Sequence, residues 1–330
     1  MSSMKGITRT LGKYFRYGLF ACAMGWMGSA SAAYPDKPIT LIVAYPPGGT
    51  VDLVARVMEP ELSRILGQPV VVVNKGGAGG MIGDAYVARS KPDGYTVLLD
   101  ASSFAQNPAL RSKMSFDAIK DFAPVSLLLK VPNVLVTTPS SDIKSVADLI
   151  KAGKDDARSM YFASSGQGSA QHLAGELFNM LAGTHLTHVA YKGGGPAMTD
   201  VMGGQVPIMF ASLGSSWSHI DKGMLRPVAV GGTQRSSLMP DVPTIAEAGI
   251  PGYSSYDWDA IFVPAGTPAP IVDKLSAAFA QALNAPKVQT TLKGIGADII
   301  GSTPAELEKF LRDEISKWKD VAKKANLKLD

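Results

Sequence analysis

The sequence predicts an α/β fold with a parallel sheet covered on both faces, and three observations carry that prediction. Short apolar runs such as Ile39-Thr40-Leu41-Ile42-Val43 lack the polar alternation of a strand with one wet face. Segments of helical periodicity separate them, as in Val51, Val54, Ala55, Met58, Leu62, Ile65 and Leu66, which recur at three and four residue steps. Glycine- and proline-rich turns, beginning with Pro46-Pro47-Gly48-Gly49, join strand to helix each time.

In order, the strand at Ile39 to Val43 leads through that turn to a helix from Val51 to Leu66. The unit recurs as Val70 to Val73, a glycine-rich turn and a helix from Met81 to Arg89, then as Tyr95 to Leu99 followed by a polar loop. A middle region opens with a strand at Pro132 to Thr137. It continues with a helix from Val146 to Ala152, a strand at Ser159 to Ala163 and a helix from Ala170 to Met180. Further strands are expected at His188 to Tyr191, Pro207 to Ala211 and Leu225 to Val230, and a return strand at Trp258 to Val263. Two helices close the chain, Pro270 to Leu283 and Pro304 to about Ala325. Thr303, Pro304 and Glu306 spell a capping box with proline in the first turn. The apolar face of the last helix, Leu307, Phe310, Leu311, Ile315 and Trp318, needs a surface already built, so the first domain is expected to be discontinuous.

Of 330 residues, 46% are apolar and 18% charged, ample for two domains and too apolar for disorder. The net charge of +4 comes from one place. Residues 1–33 hold Lys5, Arg9, Lys13 and Arg16 and no acid, so beyond them 28 basic residues balance 28 acidic ones. That balance argues against a nucleic-acid partner. The same segment reads as an export signal: a basic stretch, an apolar run from Tyr17 to Met27, and small residues Gly28 to Ala33 suited to signal peptidase. Its apolar run is shorter than the roughly 20 residues that span a bilayer. Leu19-Phe20-Ala21-Cys22 is a poor lipoprotein box because Phe20 is bulky. With Cys22 the only cysteine, the mature chain from about Tyr34 is expected to be thiol-free.

Chemistry is sought at strand ends, where open α/β sheets bind ligands. The first candidate is Tyr45, Pro47, Gly48, Gly49, Thr50 and Asp52, where free N–H groups of a helix start face the strand end and suit an anion. Asp52 is expected to orient the turn or a water rather than to touch a carboxylate. The second is Ser164, Ser165, Gly166, Gly168, Ser169, Gln171 and His172, whose hydroxyls and amides offer neutral donors. Ser102 and Ser103, Ala211 and Ser212, and Asp257 are supporting positions. For both turns the plain alternative is helix capping.

The residues also resemble a known family, the solute-binding receptors of tripartite tricarboxylate transporters, often called Bug-type extracytoplasmic receptors. The resemblance runs through Tyr34-Pro35-x-Lys37-Pro38-Ile39, the Tyr45 to Asp52 turn, Val73-Asn74-Lys75-x-Gly77-Ala78-Gly79-Gly80-x-Ile82-Gly83 and Pro92-Asp93-Gly94-Tyr95-Thr96. It continues in His172-Leu173-Ala174-Gly175-Glu176, Tyr191-Lys192-Gly193-x-x-Pro196-Ala197 and Pro243-Thr244-x-x-Glu247-Ala248-Gly249. It implies a two-lobed periplasmic binding protein of type II, or Venus-flytrap, architecture with the ligand cleft between lobes. Lobe 1 would be residues 34–133 plus 255–330 and lobe 2 residues 134–254. The implied function is capture of a small organic carboxylate, without cofactor, metal or catalysis, by a periplasmic monomer that delivers it to the membrane permease subunits of the transporter. A sensor component without its own permease is the alternative. Three positions depart from the pattern: Tyr45 replaces the commoner Phe, Gln171 the usual Ser, and Asp259 the usual Gly.

Rival readings are weaker. Gly77-Ala78-Gly79-Gly80-Met81-Ile82-Gly83 with Asp100 imitates a dinucleotide fingerprint of an oxidoreductase, but its third glycine is displaced by one place. Ser141-Asp142-Ile143-Lys144 has the spacing of a penicillin-interacting serine enzyme without its companion motifs, and Ser145 with Asp148 reads as a helix start. His185 and His188 fall on a strand pattern rather than one helical face, which argues against a metal pair. Lys192-Gly193-Gly194-Gly195 suits a turn or hinge better than an anion nest.

Overall fold

In the computed structural model, residues 34–155 and 160–329 are described; segment 1–33, expected from the sequence to be an export signal, lies outside them with Cys22. Strands β1 (Ile39–Val43), β2 (Val70–Asn74) and β3 (Thr96–Ala101) pair in parallel with β1 in the middle. Helix α1 (Thr50–Leu66) buries the stripe Val51, Val54, Ala55, Met58, Leu62 and Leu66, each large side chain contributing about 1.5 to 3 kcal/mol by leaving water. It stops at Gly67, whose positive φ lets its N–H close back onto Ser63. Helix α2 (Met81–Ala88) follows the glycine-rich turn. The polar loop expected after β3 is instead a short helix, α3 (Ser103–Leu110), because Phe104, Ala105 and Leu110 supply a buried face that its polar residues mask in the sequence.

The long strand β4 (Phe122–Thr137) changes partners along its length. From Phe122 to Pro132 it pairs antiparallel with β9 (Tyr256–Pro264), and from Asn133 to Thr137 with β7 (Ile208–Ser212). Strand β8 (Arg226–Val230) pairs antiparallel with β4 from Val134 to Thr137. Strands β5 (Tyr161–Ser164), β6 (Thr187–Ala190) and β7 form a second parallel set, with β5 in the middle. The sheet is therefore mixed. The parallel expectation describes its two outer sets, while β9 and β4 run against their neighbours because they cross between those sets. The sequence reading began β4 only at Pro132; the strand starts ten residues earlier, and Pro124 sits at a register shift that tolerates its missing donor.

Helices α4 (Val146–Gly153), α5 (Ala170–Ala182), α6 (Gly194–Met202) and α7 (Leu213–Asp221) accompany the second set. Ser145 caps α4 by accepting from Asp148 N, the helix start read there. Gly193 is the N-cap of α6, so the Lys192 to Gly195 segment is a turn into a helix that the sequence reading left out, as it did α7. Helices α8 (Ala269–Leu283) and α9 (Pro286–Gly294), the short strand β10 (Asp298–Ile299) and α10 (Pro304–Lys324) complete the chain, and α10 begins with the capping box at Thr303 and Glu306. Its apolar stripe packs on α3, β4 and also α5, so it touches elements beyond the first parallel set. Glu314 lies within that stripe and is held there by the indole N–H groups of Trp318 (3.0 Å) and Trp258 (3.4 Å) and by Lys317.

Candidate functional site

A cavity of about 760 Å³ lies where the ends of β1, β3, β5 and β9 meet. That volume falls in the range of small-molecule sites. Its lining brings together most of the residues singled out in the sequence: Tyr45, Pro47, Gly48, Gly49 and Thr50 from the first turn, Ser102 and Ser103, Ser165, Gly166, Gly168, Ser169 and Gln171 from the second, and Ser212 and Asp257. Asp52, Ser164, His172 and Ala211 are buried and lie outside the lining.

Asp52 acts from behind the first turn. It accepts from Gly48 N, Arg56 Nε and Asn74 Nδ2, each at 2.9 Å. Asn74 also donates to Tyr45 O at 3.0 Å, so β2 is tied to the turn at two points. The Arg56 guanidinium, with help from Gly48 N–H and Asn74, holds the Asp52 carboxyl down to about 2. Gly48, at φ 90°, occupies a conformation that a side chain would oppose. Gly49 supplies the N-cap without a side-chain hydrogen bond, and the first helical bond runs from Leu53 N to Gly49 O at 3.0 Å. The amides of Thr50, Val51 and Asp52 are thus left without intrahelical partners, beside the cavity. Tyr45 completes this side through a 2.5 Å hydrogen bond between its hydroxyl and Ser103 Oγ; burial pushes its phenol well up.

The second turn uses much of its hydrogen-bonding capacity on itself, while the amides of Ala170 and Gln171 that begin α5 keep no intrahelical partner. Gly166 N donates to Ser164 Oγ (3.1 Å), Gly168 N to His172 Nδ1 (3.0 Å) and His172 N to Ser169 Oγ (3.2 Å). The hydroxyls of Ser169 and Ser164 donate to Gly166 O, and that of Ser165 to Gln171 Oε1 at 2.5 Å. The amides of Gly166 and Gly168 and these hydroxyls thus bind within the loop, while Ser165, Gly166, Gly168 and Ser169 line the cavity. His188 of β6 stands behind, 2.6 Å from Ser164 Oγ through Nε2, with its ring stacked on His172 at 3.7 Å. Burial and the neighbouring His172 push His188 down to about 4. Among the described residues no group of three His, Cys, Asp or Glu is arranged for a metal.

The far wall joins residues named in the sequence to others that the sequence reading missed. Asp257 accepts from Ser102 Oγ (3.2 Å) and Gln171 Nε2 (3.0 Å), linking the end of β3 to the start of α5. Gln171 Nε2 also reaches Asn133 Oδ1 at 3.4 Å. Gln106, Asn107 and Arg111 line the cavity from α3, a placement invisible while that segment read as a loop. Arg111 brings a positive charge that neither turn contains; it donates to Asn107 Oδ1 (3.3 Å) and Leu329 O (3.4 Å). Asp259, noted only as a departure, lines the cavity too. Asp100, the candidate ribose-binding acid, is fully buried against Gly80 and Asp84 and lies outside the cavity lining.

The family model for the tripartite tricarboxylate transporter family receptor matches residues 54–327. Protein BugT of Bordetella pertussis is 38% identical over 315 residues, covering 94% of this chain and 97% of BugT. Among solved structures, Rpa4515 of R. palustris with adipate is 35% identical with a TM-score of 0.79, covering 89% of this chain and 99% of that one. MatC from Rhodopseudomonas palustris with bound malate is 32% identical with a TM-score of 0.76, covering 87% and 99%.

Proposed function

The chain belongs to the tripartite tricarboxylate transporter receptor family, and from that premise we propose that it is an exported receptor that captures a small organic carboxylate and delivers it to a membrane permease. Members of this family are solute-binding receptors rather than enzymes. The observation that carries the reading is the cavity between the two glycine turns, with unpartnered helix amides on one side and a braced loop on the other. Each amide adds a hydrogen bond to an anion, worth about 1.5 to 3 kcal/mol when charge-assisted. The helix terminus adds about 0.3 to 1. Several such contacts approach the roughly 8 kcal/mol of micromolar affinity. The adipate and malate in the two related structures support a carboxylate as the ligand class.

The lobes of this receptor are residues 34–133 with 255–330, and 134–254. The exchange of partners along β4 after Pro132 supports that division, as does the knot where Asn133 N donates to Ser255 O (3.1 Å), Ser255 N to Gly231 O (2.8 Å) and Gly231 N to Asn133 O (2.6 Å). The basic, apolar and small-residue order of segment 1–33 supports export to the periplasm. A receptor that opens and closes is expected to work as a monomer. Thermal unfolding against a panel of organic acids and their neutral amide analogues tests the function. An acid at 100 times its dissociation constant adds about 2.7 kcal/mol of apparent stability, and its amide adds none. Equal shifts with acid and amide, or none with any acid on ligand-free protein, would reject the reading.

A further inference from the structure

We propose that residues 326–329, which follow α10, form a strap across one end of the cleft, with Leu329 as the side chain that closes that end and limits the length of the acid held there; the inference rests on the receptor reading above. Helix α10 ends in a built reversal. Leu327 N donates to Ala322 O at 2.8 Å and Asn326 N to Lys323 O at 3.4 Å, while Asn326 takes a left-handed φ of 52°. This pair of bonds stops a helix and turns the chain, and asparagine is among the few side chains that accept the conformation. The turn delivers the chain to α3. Leu329 N donates to Leu110 O at 2.8 Å, and Leu329 O accepts from Arg111 Nη1 at 3.4 Å. Leu327 and Leu329 are both half-buried against the core.

Held in this way, Leu329 meets the second turn. A β-carbon on Gly168 would collide with Leu329 Cδ1 and fall 3.2 Å from Leu110 Cδ1, so the contact needs a glycine there. Leu329, Gly168 and Arg111 all line the cavity. One side chain thus joins α3, in the first of the proposed lobes, to the turn that opens α5 in the second. Its isobutyl group offers no donor to a carboxylate, so it bounds the cavity with an apolar wall. An acid long enough to reach it must displace the strap or fold back on itself. The strap is tied by backbone groups, so shortening the side chain removes the wall and leaves the two hydrogen bonds in place.

Two experiments test this. Residues 34–330 contain no cysteine, so in a Cys22→Ser background Leu329→Cys and Lys328→Cys each place a single thiol on the strap. The thiol at position 329 is expected to react with dithiobis-nitrobenzoate about tenfold more slowly than the one at position 328, which is exposed, because it reacts only when the strap lifts. Equal rates would show that the strap is not docked and would overturn the proposal. The second experiment is calorimetric titration with straight-chain dicarboxylates from succinate to pimelate. Leu329→Ala is expected to raise the affinity for the longer acids relative to the shorter by about tenfold, the scale of a methylene-sized fit in an apolar pocket. An unchanged length preference would also overturn it, while leaving the carboxylate receptor standing. If no acid binds the unaltered protein, the receptor reading falls and the length limit falls with it.

Discussion

The two turns that face each other across the cleft are built from the same strand, glycine turn and helix unit, yet they spend their donors in opposite ways. At Tyr45 to Asp52 the clamp is charged and lies behind the turn, with Asp52 held by Arg56 and Asn74. Because Gly49 offers no capping side chain, the helix start keeps its amides for something else. At Ser164 to His172 the clamp is neutral and inside the turn: Ser169 caps α5, His172 receives Gly168 N–H and Ser164 receives Gly166 N–H. The contrast teaches that a glycine-rich turn before a helix is an anion socket only where its own side chains do not consume the N–H groups first. On the receptor reading proposed above, the first turn is the one that grips the ligand and the second keeps the shape of the cleft.

Four changes would break or sharpen that contrast. The largest effect is expected from Gly175→Val, because any side chain there meets the ring of Phe162 on β5, the strand that carries the second turn. Overpacking of this kind costs about 3 kcal/mol, read from urea unfolding. Next is Asp52→Ala, expected to cost about 2 kcal/mol by leaving Gly48 N–H and Arg56 without their acceptor. It should also weaken carboxylate binding by more than about tenfold; unchanged affinity would show that the first turn does not grip. Ser169→Ala removes only a cap and should cost about 1 kcal/mol, with affinity altered far less than by Asp52→Ala. A larger affinity loss at Ser169 than at Asp52 would reverse the assignment of the two turns.

A pH dependence also separates the clamps. His188 is held down at about 4 in the folded chain, so the unfolded chain binds its proton first. Its contribution is complete above about pH 6.5 and is lost as the pH falls toward 4. Asp52, held at about 2, keeps its contribution until lower pH and loses it between about 4 and 2. His188→Asn should flatten the first window and leave the second, as followed by melting temperature against pH. A first window that persists in this variant would contradict the role given to His188.

Much of this was legible in the sequence because the signals were local. The Pro-Pro-Gly-Gly turn, the apolar stripe of α1 and the Thr303 capping box each depend on residues a few positions apart, and all are found where they were read. What stayed hidden depends on the distant chain. That the second turn satisfies its own donors rests partly on His188 from β6. Arg111 enters the cleft only because α3 is a helix packed under α10. Asp259 is an ordinary strand residue until β3 and β4 enclose it. The first part of β4 went unread, and within it Pro124 sits at a register shift that accommodates the proline.

The most direct measurement is a structure of the protein with a small carboxylate bound, read for which turn holds the carboxylate oxygens. The account predicts those oxygens within hydrogen-bonding distance of the free amides that begin α1, with the bonds of the Ser164 to His172 loop intact. Oxygens seated instead on Gly166 and Gly168, with His172 and Ser164 released from those amides, would contradict it.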